Sequence, residues 1–159
     1  KLREEHADCS NIHLLDPIYE QGKLDVIRSN CRVYIHGHSA GGTNPSLVDA
    51  MFLALPIFAF DVAYNRTTTE GQARYFKTHA DLTALLATTS ARDYEAQSQA
   101  MQRIAQRRYV WPVIAHKYGA LIQLVLFRPQ KMKLVPTMTR RLSPKVLVRE
   151  ELGHMQFPT

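Results

Sequence analysis

One stretch of the chain, residues 32–51, constrains the fold more than any other. It begins with a β-branched and aromatic run that ends at Gly37, and a loop of small and polar residues follows. Pro45 then opens a helical segment, because its fixed φ and missing N–H suit a first helical turn. The start of a helix has unpaired N–H groups and the positive end of the macrodipole. The pattern therefore predicts a strand, an anion-binding loop and a helix.

Short apolar runs on both sides of this stretch alternate with helical segments. The predicted strands are residues 11–16, 31–37, 55–61 and, at an edge of the sheet, 73–76. The predicted helices are residues 22–29, 45–54, 80–87, 90–108 and 110–126, and a polar loop is predicted at 62–71. Because the strands are almost continuously apolar rather than alternating, they indicate a parallel sheet that helices cover on both faces. We therefore predict an α/β fold.

The composition is that of one domain that needs no metal or disulfide to hold its core. The chain has 159 residues, of which 45% are hydrophobic, enough to bury most of the surface of the unfolded chain. Cys9 and Cys31 lack metal-binding spacing, which predicts a reduced, cytoplasmic protein. No apolar run has the length of a membrane span. The first residue is Lys1 rather than Met, so we expect a piece of a longer polypeptide.

The net charge of +6 is concentrated in the second half of the chain. Ten basic residues follow Arg103: Arg107, Arg108, Lys117, Arg128, Lys131, Lys133, Arg140, Arg141, Lys145 and Arg149. Such a bias is typical of a solvated basic face, an anionic membrane surface or a nucleic-acid site. No aromatic-plus-basic recognition motif accompanies it, so no nucleic-acid partner is expected. Residues 127–159 form a basic, proline-containing tail, which we expect to be extended against a partner or partly disordered.

The central loop allows two chemistries, and the first is that of a serine hydrolase. Residues 37–41 match the Gly-x-Ser-x-Gly pattern of a nucleophile elbow, which would make Ser39 the nucleophile of an esterase. In an elbow the helix begins at the serine, so that the next N–H faces the oxyanion. A helix starting at Ala40 would include Pro45, at a cost of about 3 kcal/mol. The available acid and base residues are Asp93 with either His116 or His154.

The second chemistry is the binding of a nucleotide diphosphate. A diphosphate needs converging N–H groups and little side-chain bulk, which Gly41, Gly42 and Thr43 can supply together with the helix N-terminus. Ser46 can hydrogen-bond a phosphate, and the Asp49 carboxylate can accept hydrogen bonds from two ribose hydroxyls. An ordinary early-helix carboxylate that favours the macrodipole is the alternative interpretation of Asp49.

Three blocks of the sequence carry a resemblance to a known family: LLDPIY at 14–19, HGHSAGGTNPSLVDAM at 36–51 and FDVAYNR at 60–66. Together they resemble the C-terminal, donor-binding half of GT-B glycosyltransferases, and most of all the bacterial rhamnosyltransferases of capsule and O-antigen assembly. The resemblance covers residues 10–122. It implies a Rossmann-like domain at 1–126 whose first strand is missing. It also implies a sugar donor, with dTDP-rhamnose as the first expectation, and transfer to a surface polysaccharide without a metal or other cofactor.

The resemblance also implies a set of donor-binding residues: His38, Ser39, Gly41, Gly42, Thr43, Asn44, Ser46 and Asp49. It places the nucleobase near Pro17 and Ile18. Related enzymes carry two glutamates separated by seven residues, and here Asp49 stands at the second position and Gly41 at the first. The contact to the transferred sugar is therefore expected from His38, Ser39 or the backbone.

The same resemblance implies partners that this chain does not contain. An N-terminal domain would supply the acceptor site and any catalytic base, so the chain alone should not transfer sugar. A lipid-linked acceptor would bring the enzyme to the inner face of the cell membrane as a peripheral protein. Two other functions stay open at this point: a serine hydrolase that uses Ser39, and a non-catalytic module that binds nucleotide sugars.

Overall fold

The computed structural model describes residues 1–126, and the predicted tail at 127–159 lies outside the described residues. The helices are α1 (Leu2–Glu5), α2 (Gln21–Ser29), α3 (Pro45–Phe52), α4 (Ala63–Thr68), α5 (His79–Thr88), α6 (Ala91–Arg108) and α7 (Trp111–Leu126). The strands are β1 (Tyr34–His36), β2 (Ile57–Phe60) and β3 (Arg74–Phe76).

The three strands form one parallel sheet in the order β1-β2-β3. His36 of β1 is opposite Ala59 of β2, and Phe60 of β2 is opposite Phe76 of β3. Parallel neighbours need a crossover connection, and α3 and α4 lie in the two crossovers of this sheet. The predicted α/β fold with a parallel sheet is confirmed, although the sheet is small and each strand is shorter than predicted.

Side chains of β2 alternate between two apolar clusters, one on each side of the sheet. Ile57 and Ala59 belong to a cluster that also contains buried residues of α3 and α6: Leu47, Ala50, Met51, Met101, Ile104 and Ala105. Phe58 belongs to the opposite cluster with Phe76 and Tyr94, against which Leu82 and Leu85 of α5 pack. Burial on both faces explains why β2 reads as a continuous apolar run.

The predicted strand at 11–16 is wrong. This segment forms a turn followed by irregular structure, and Ile12, Leu14 and Leu15 are exposed. Apolar composition makes a strand possible, but a strand also needs a neighbour whose N–H and C=O groups it can pair with. Residues 11–16 do not pair with β1, whose only neighbour in the described sheet is β2.

The predicted loop at 62–71 is also wrong, because residues 63–68 form α4. Its polar composition indicates a loop, and threonine side chains compete with backbone hydrogen bonding in a helix. Here their hydroxyls donate to carbonyls one turn earlier: Thr68 to Tyr64 O at 2.7 Å and Thr69 to Asn65 O at 2.8 Å. Asn65, Thr68 and Thr69 are buried. Tertiary packing therefore makes a helix from a segment of weak helix propensity.

The other predicted helices are confirmed, with ends shifted by up to two residues. Tyr94, Met101 and Ile104 form the predicted buried stripe of α6. In α7 the predicted helix is correct, but none of its residues is buried. No helix within residues 1–126 combines the length and the apolar character needed to cross a membrane.

Candidate functional site

Strand β1 and the start of the loop after it carry a row of three rings. The ring centroids of Tyr34 and His36 are 5.9 Å apart, and those of His36 and His38 are also 5.9 Å apart. Burial lowers the pKa of the His36 imidazole, and the neighbouring His38 lowers it further. The lowered pKa favours the neutral form of His36, and its buried Nε2 has no hydrogen-bond partner among residues 1–126.

The loop that follows β1 depends on Gly41 for its shape. Gly41 has a φ of 103°, a region that residues with a side chain rarely adopt. A Cβ placed on Gly41 would lie 3.7 Å from Nε2 of His38, so the His38 imidazole lies beside the Gly41 backbone. A Cβ on Gly42 would meet no atom within 4 Å. The loop therefore places an imidazole beside Gly41 and leaves open space at Gly42.

A buried amide beneath this loop connects it to the rest of the sheet. Asn65 of α4 donates from Nδ2 to His38 O at 3.1 Å and to Phe60 O at 2.9 Å. A second connection joins the Thr43 and Thr68 hydroxyls, 3.3 Å apart. Helix α4 thus holds the loop through the hydrogen bonds of Asn65 and Thr68. Asn65 is not among the predicted site residues, and its only signal in the sequence is a polar residue close to the end of a predicted strand.

The start of α3 is where the sequence predicted unpaired N–H groups for an anion, and the structure corrects this in part. The helix begins at Pro45 as predicted, with Asn44 as its N-cap. The Asn44 side chain accepts from Ser46 N at 2.9 Å, and Asn44 O accepts from Leu47 N at 3.1 Å. An asparagine cap competes with an external anion for the same donors. An anion here must bind the loop backbone or displace the Asn44 side chain.

One turn into α3, Asp49 lies next to a basic and a phenolic side chain. Arg28 Nη1 of α2 is 3.4 Å from Asp49 Oδ2, and the arginine side chain is mostly buried whereas the carboxylate is half exposed. The pKa of Tyr34 is raised by burial and by the Asp49 charge. The Arg28 charge and a hydrogen bond with Ser46 lower the same pKa but do not outweigh the burial. The Asp49 carboxylate is thus paired on one side and accessible to solvent on the other.

The predicted donor-binding residues lie on one continuous segment, from His38 in the loop to Asp49 on α3. The predicted nucleobase residues, Pro17 and Ile18, lie before α2 in the chain. Pro17 is exposed, and Ile18 lines a groove of about 370 Å³ together with α2 residues that include Val26 and Ile27. No residue of the loop or of α3 lines that groove.

The geometry around Ser39 differs from that of a nucleophile elbow. Ser39 is exposed in the loop, and α3 begins six residues later at Pro45. The N–H of the residue after Ser39 therefore does not lie at a helix N-terminus, where an elbow would place its oxyanion donor.

The acid and base candidates of a hydrolase lie on other elements than the Ser39 loop, and Asp93 has partners of its own. Asp93 accepts from Ser90 in the cap of α6 and lies 3.4 Å from Arg74 Nη2. These hydrogen bonds with Ser90, and then Arg74, lower the pKa of Asp93. His116 lies on α7, which follows the opposite end of α6, and His154 lies outside the described residues.

Within residues 1–126, no three His, Cys, Asp or Glu side chains come close enough together to hold a metal ion. No protein-family model, no curated protein and no solved structure matches the chain. The geometry of the loop, α3 and α4 is therefore what bears on function.

Proposed function

We propose that the chain is the donor-binding domain of a glycosyltransferase. It would bind a nucleotide diphosphate sugar, with dTDP-rhamnose as the first candidate, for transfer to a surface-polysaccharide acceptor. One observation carries the proposal: a loop with Gly41 in a positive-φ conformation leaves the carboxyl end of a parallel strand and leads into a helix with Asp49 one turn further on. In open α/β sheets, ligands bind at this edge.

The loop would hold the diphosphate. Gly41 and Gly42 add no side chains of their own and Gly42 has open space around it, and the Thr43 and Ser46 hydroxyls can donate to phosphate oxygens. The exposed His38 imidazole beside Gly41 can donate to the diphosphate or to the sugar. When the glycosidic bond breaks, negative charge grows on the leaving diphosphate, and donors already in place there lower the barrier. The buried Asn65 amide keeps those donors in place.

Asp49 would hold the ribose. Its carboxylate is half exposed, and two ribose hydroxyls could donate charge-assisted hydrogen bonds to its oxygens. Arg28 at 3.4 Å orients this carboxylate and balances its charge.

The whole enzyme would extend beyond what this sheet provides. Three parallel strands in sequential order are compatible with one half of a Rossmann-like, doubly wound sheet. The acceptor site and any catalytic base would belong to an N-terminal domain, and a lipid-linked acceptor would bring the enzyme to the inner face of the membrane. These features rest on the sequence resemblance. The hydrolase alternative is disfavoured because α3 begins at Pro45 rather than at Ser39.

Titration calorimetry with nucleotides tests the proposal on the chain as it is. UDP and dTDP should bind and free rhamnose should not, because the diphosphate supplies most of the contacts. Asp49→Asn keeps the shape of the side chain but makes its hydrogen bonds neutral, which should weaken UDP binding by about 1.5 to 3 kcal/mol, or about 10-fold to 150-fold. Glu95→Gln on the exposed part of α6 is the matched control and should leave binding unchanged.

A second pair of ligands isolates the ribose contact. Since dUDP differs from UDP only by the missing 2′-hydroxyl, the Asp49→Asn penalty should be smaller for dUDP. Equal penalties for the two nucleotides would mean that Asp49 does not hold the ribose. Absence of binding for every nucleotide at millimolar concentration would contradict the proposed function.

A further inference from the structure

Helix α7 presents an exposed apolar stripe. The stripe consists of Trp111, Tyr118, Ile122 and Val125, whose exposed fractions are 79%, 65%, 54% and 67%. Their spacing of seven, four and three residues places them on one side of the helix. Leu126 at the end of α7 is also exposed, at 69%, whereas Ile114, Leu121 and Leu124 are partly buried along the adjacent side of the helix. Single exposed apolar residues are normal, but a contiguous stripe with two aromatic rings indicates an interaction surface.

The net charge is negative over residues 1–95 and positive over residues 96–149, the region that contains α7. Residues 1–95 contain twelve acidic and nine basic residues. Between Glu95 and Glu150 the sequence contains Arg103 and the ten basic residues after it, and not one acidic residue. A charge bias of this length suits an extended and uniformly anionic surface better than a local acidic patch on a protein.

Part of this basic charge lies on α7 itself and on the end of the helix before it. Arg107 and Arg108 are the last residues of α6, immediately before α7, and both form ion pairs with Glu70. Lys117 lies within α7, where burial and then the neighbouring Arg108 lower its pKa. Two guanidinium groups thus share the Glu70 carboxylate. These guanidinium groups and the Lys117 ammonium group lie at the end of α6 and within α7, the helix that carries the stripe.

We propose that the stripe of α7 binds an anionic lipid surface, with the helix lying along the membrane plane. The basic residues between Glu95 and Glu150 would supply the electrostatic attraction. A helix of 16 residues is too short to span a bilayer, but it is long enough to lie in the headgroup region. Trp and Tyr favour that region because their rings are apolar and their N–H and O–H groups are polar. This inference does not depend on sugar transfer and concerns a surface outside the proposed donor site.

Vesicle binding monitored by tryptophan fluorescence tests the inference. Trp111 is the only tryptophan of the chain, so its emission reports on the stripe alone. The full chain should sediment with vesicles of phosphatidylglycerol and phosphatidylcholine, and the emission should shift to shorter wavelength. Pure phosphatidylcholine should bind much less. Added salt should weaken the binding to the anionic vesicles, because it screens the charges.

Substitutions on the stripe separate its role from that of general charge. Ile122→Ser should lower the partition coefficient on anionic vesicles about tenfold or more, because the aliphatic side chain that would be buried in the lipid is lost. Tyr19→Ser is the matched control, since Tyr19 is 94% exposed and lies far from α7 in the sequence. It should leave the partition coefficient unchanged. Both exposed sites allow the variants to fold, which circular dichroism can verify.

Three results would overturn the inference. One is the absence of any shift of Trp111 emission with anionic vesicles. Another is an Ile122→Ser variant that binds vesicles as well as the unmodified chain. The third is a dimer in solution that Ile122→Ser converts to a monomer without any lipid binding, which would assign the stripe to a contact between two copies.

Discussion

The amide of Asn65 should be the most sensitive polar group of the candidate site. It is fully buried, and its Nδ2 donates to His38 O in the loop and to Phe60 O at the end of β2. Asn65→Asp keeps the shape of the side chain but replaces this donor by an oxygen that faces two carbonyl oxygens. The change tests whether one amide holds the loop on the sheet.

The magnitude follows from the two hydrogen bonds. Each buried carbonyl left without a donor costs about 1 to 3 kcal/mol, and a buried carboxylate without a cation adds to that. We expect the free energy of unfolding at pH 7 to fall by about 3 kcal/mol or more. Asn30→Asp is the control, because the Asn30 Nδ2 also donates to a carbonyl, that of Val26 at 2.7 Å, but at an exposed position. It should cost about 1 kcal/mol at most.

Urea denaturation followed by circular dichroism measures both variants, and the pH dependence gives a further test. Burial raises the pKa of the introduced carboxyl in the folded state above its value of about 3.9 in the unfolded state. The folded Asn65→Asp variant then binds more protons, so its stability deficit should shrink as the pH falls from 8 to 5. A deficit below about 1 kcal/mol, or one independent of pH, would show that Asn65 is not the buried donor described above.

Three more predictions concern the loop and the strand before it. His36 should make the free energy of unfolding fall as the pH drops below 6.5, because burial lowers its folded pKa and the unfolded chain then binds more protons. His36→Gln should flatten this pH dependence, measured by urea denaturation at several pH values, and an unchanged dependence would contradict the prediction. Gly41→Ala should cost about 1 to 2 kcal/mol in thermal unfolding because its φ is 103°, whereas Gly42→Ala, with open space around it, should cost less. Ser39→Ala should leave the unfolding free energy within about 0.5 kcal/mol, and covalent labelling of Ser39 by a fluorophosphonate would instead support the hydrolase.

Local signals in the sequence were sufficient for most of the elements that surround the site. Pro45 predicted the start of α3 because a proline restricts its own φ and cannot donate, which depends on no distant residue. The apolar run around β2 predicted a strand buried on both faces. Tyr94, Met101 and Ile104 predicted the buried side of α6 because their spacing follows the helical period.

Only the tertiary structure decided the features that depend on what lies across from a residue. The run at 11–16 has the composition of a strand but pairs with no strand among residues 1–126. Residues 63–68 have the composition of a loop but pack as a helix. The N–H of Ser46 was expected to be available, yet the Asn44 side chain accepts from it. Asn65 forms its two hydrogen bonds to carbonyls 27 and 5 residues away in sequence. The spacing of apolar residues within a segment shows whether the segment has a helical or a strand period. Strand pairing and buried hydrogen bonds depend instead on residues from other parts of the chain, whose positions the sequence order does not give.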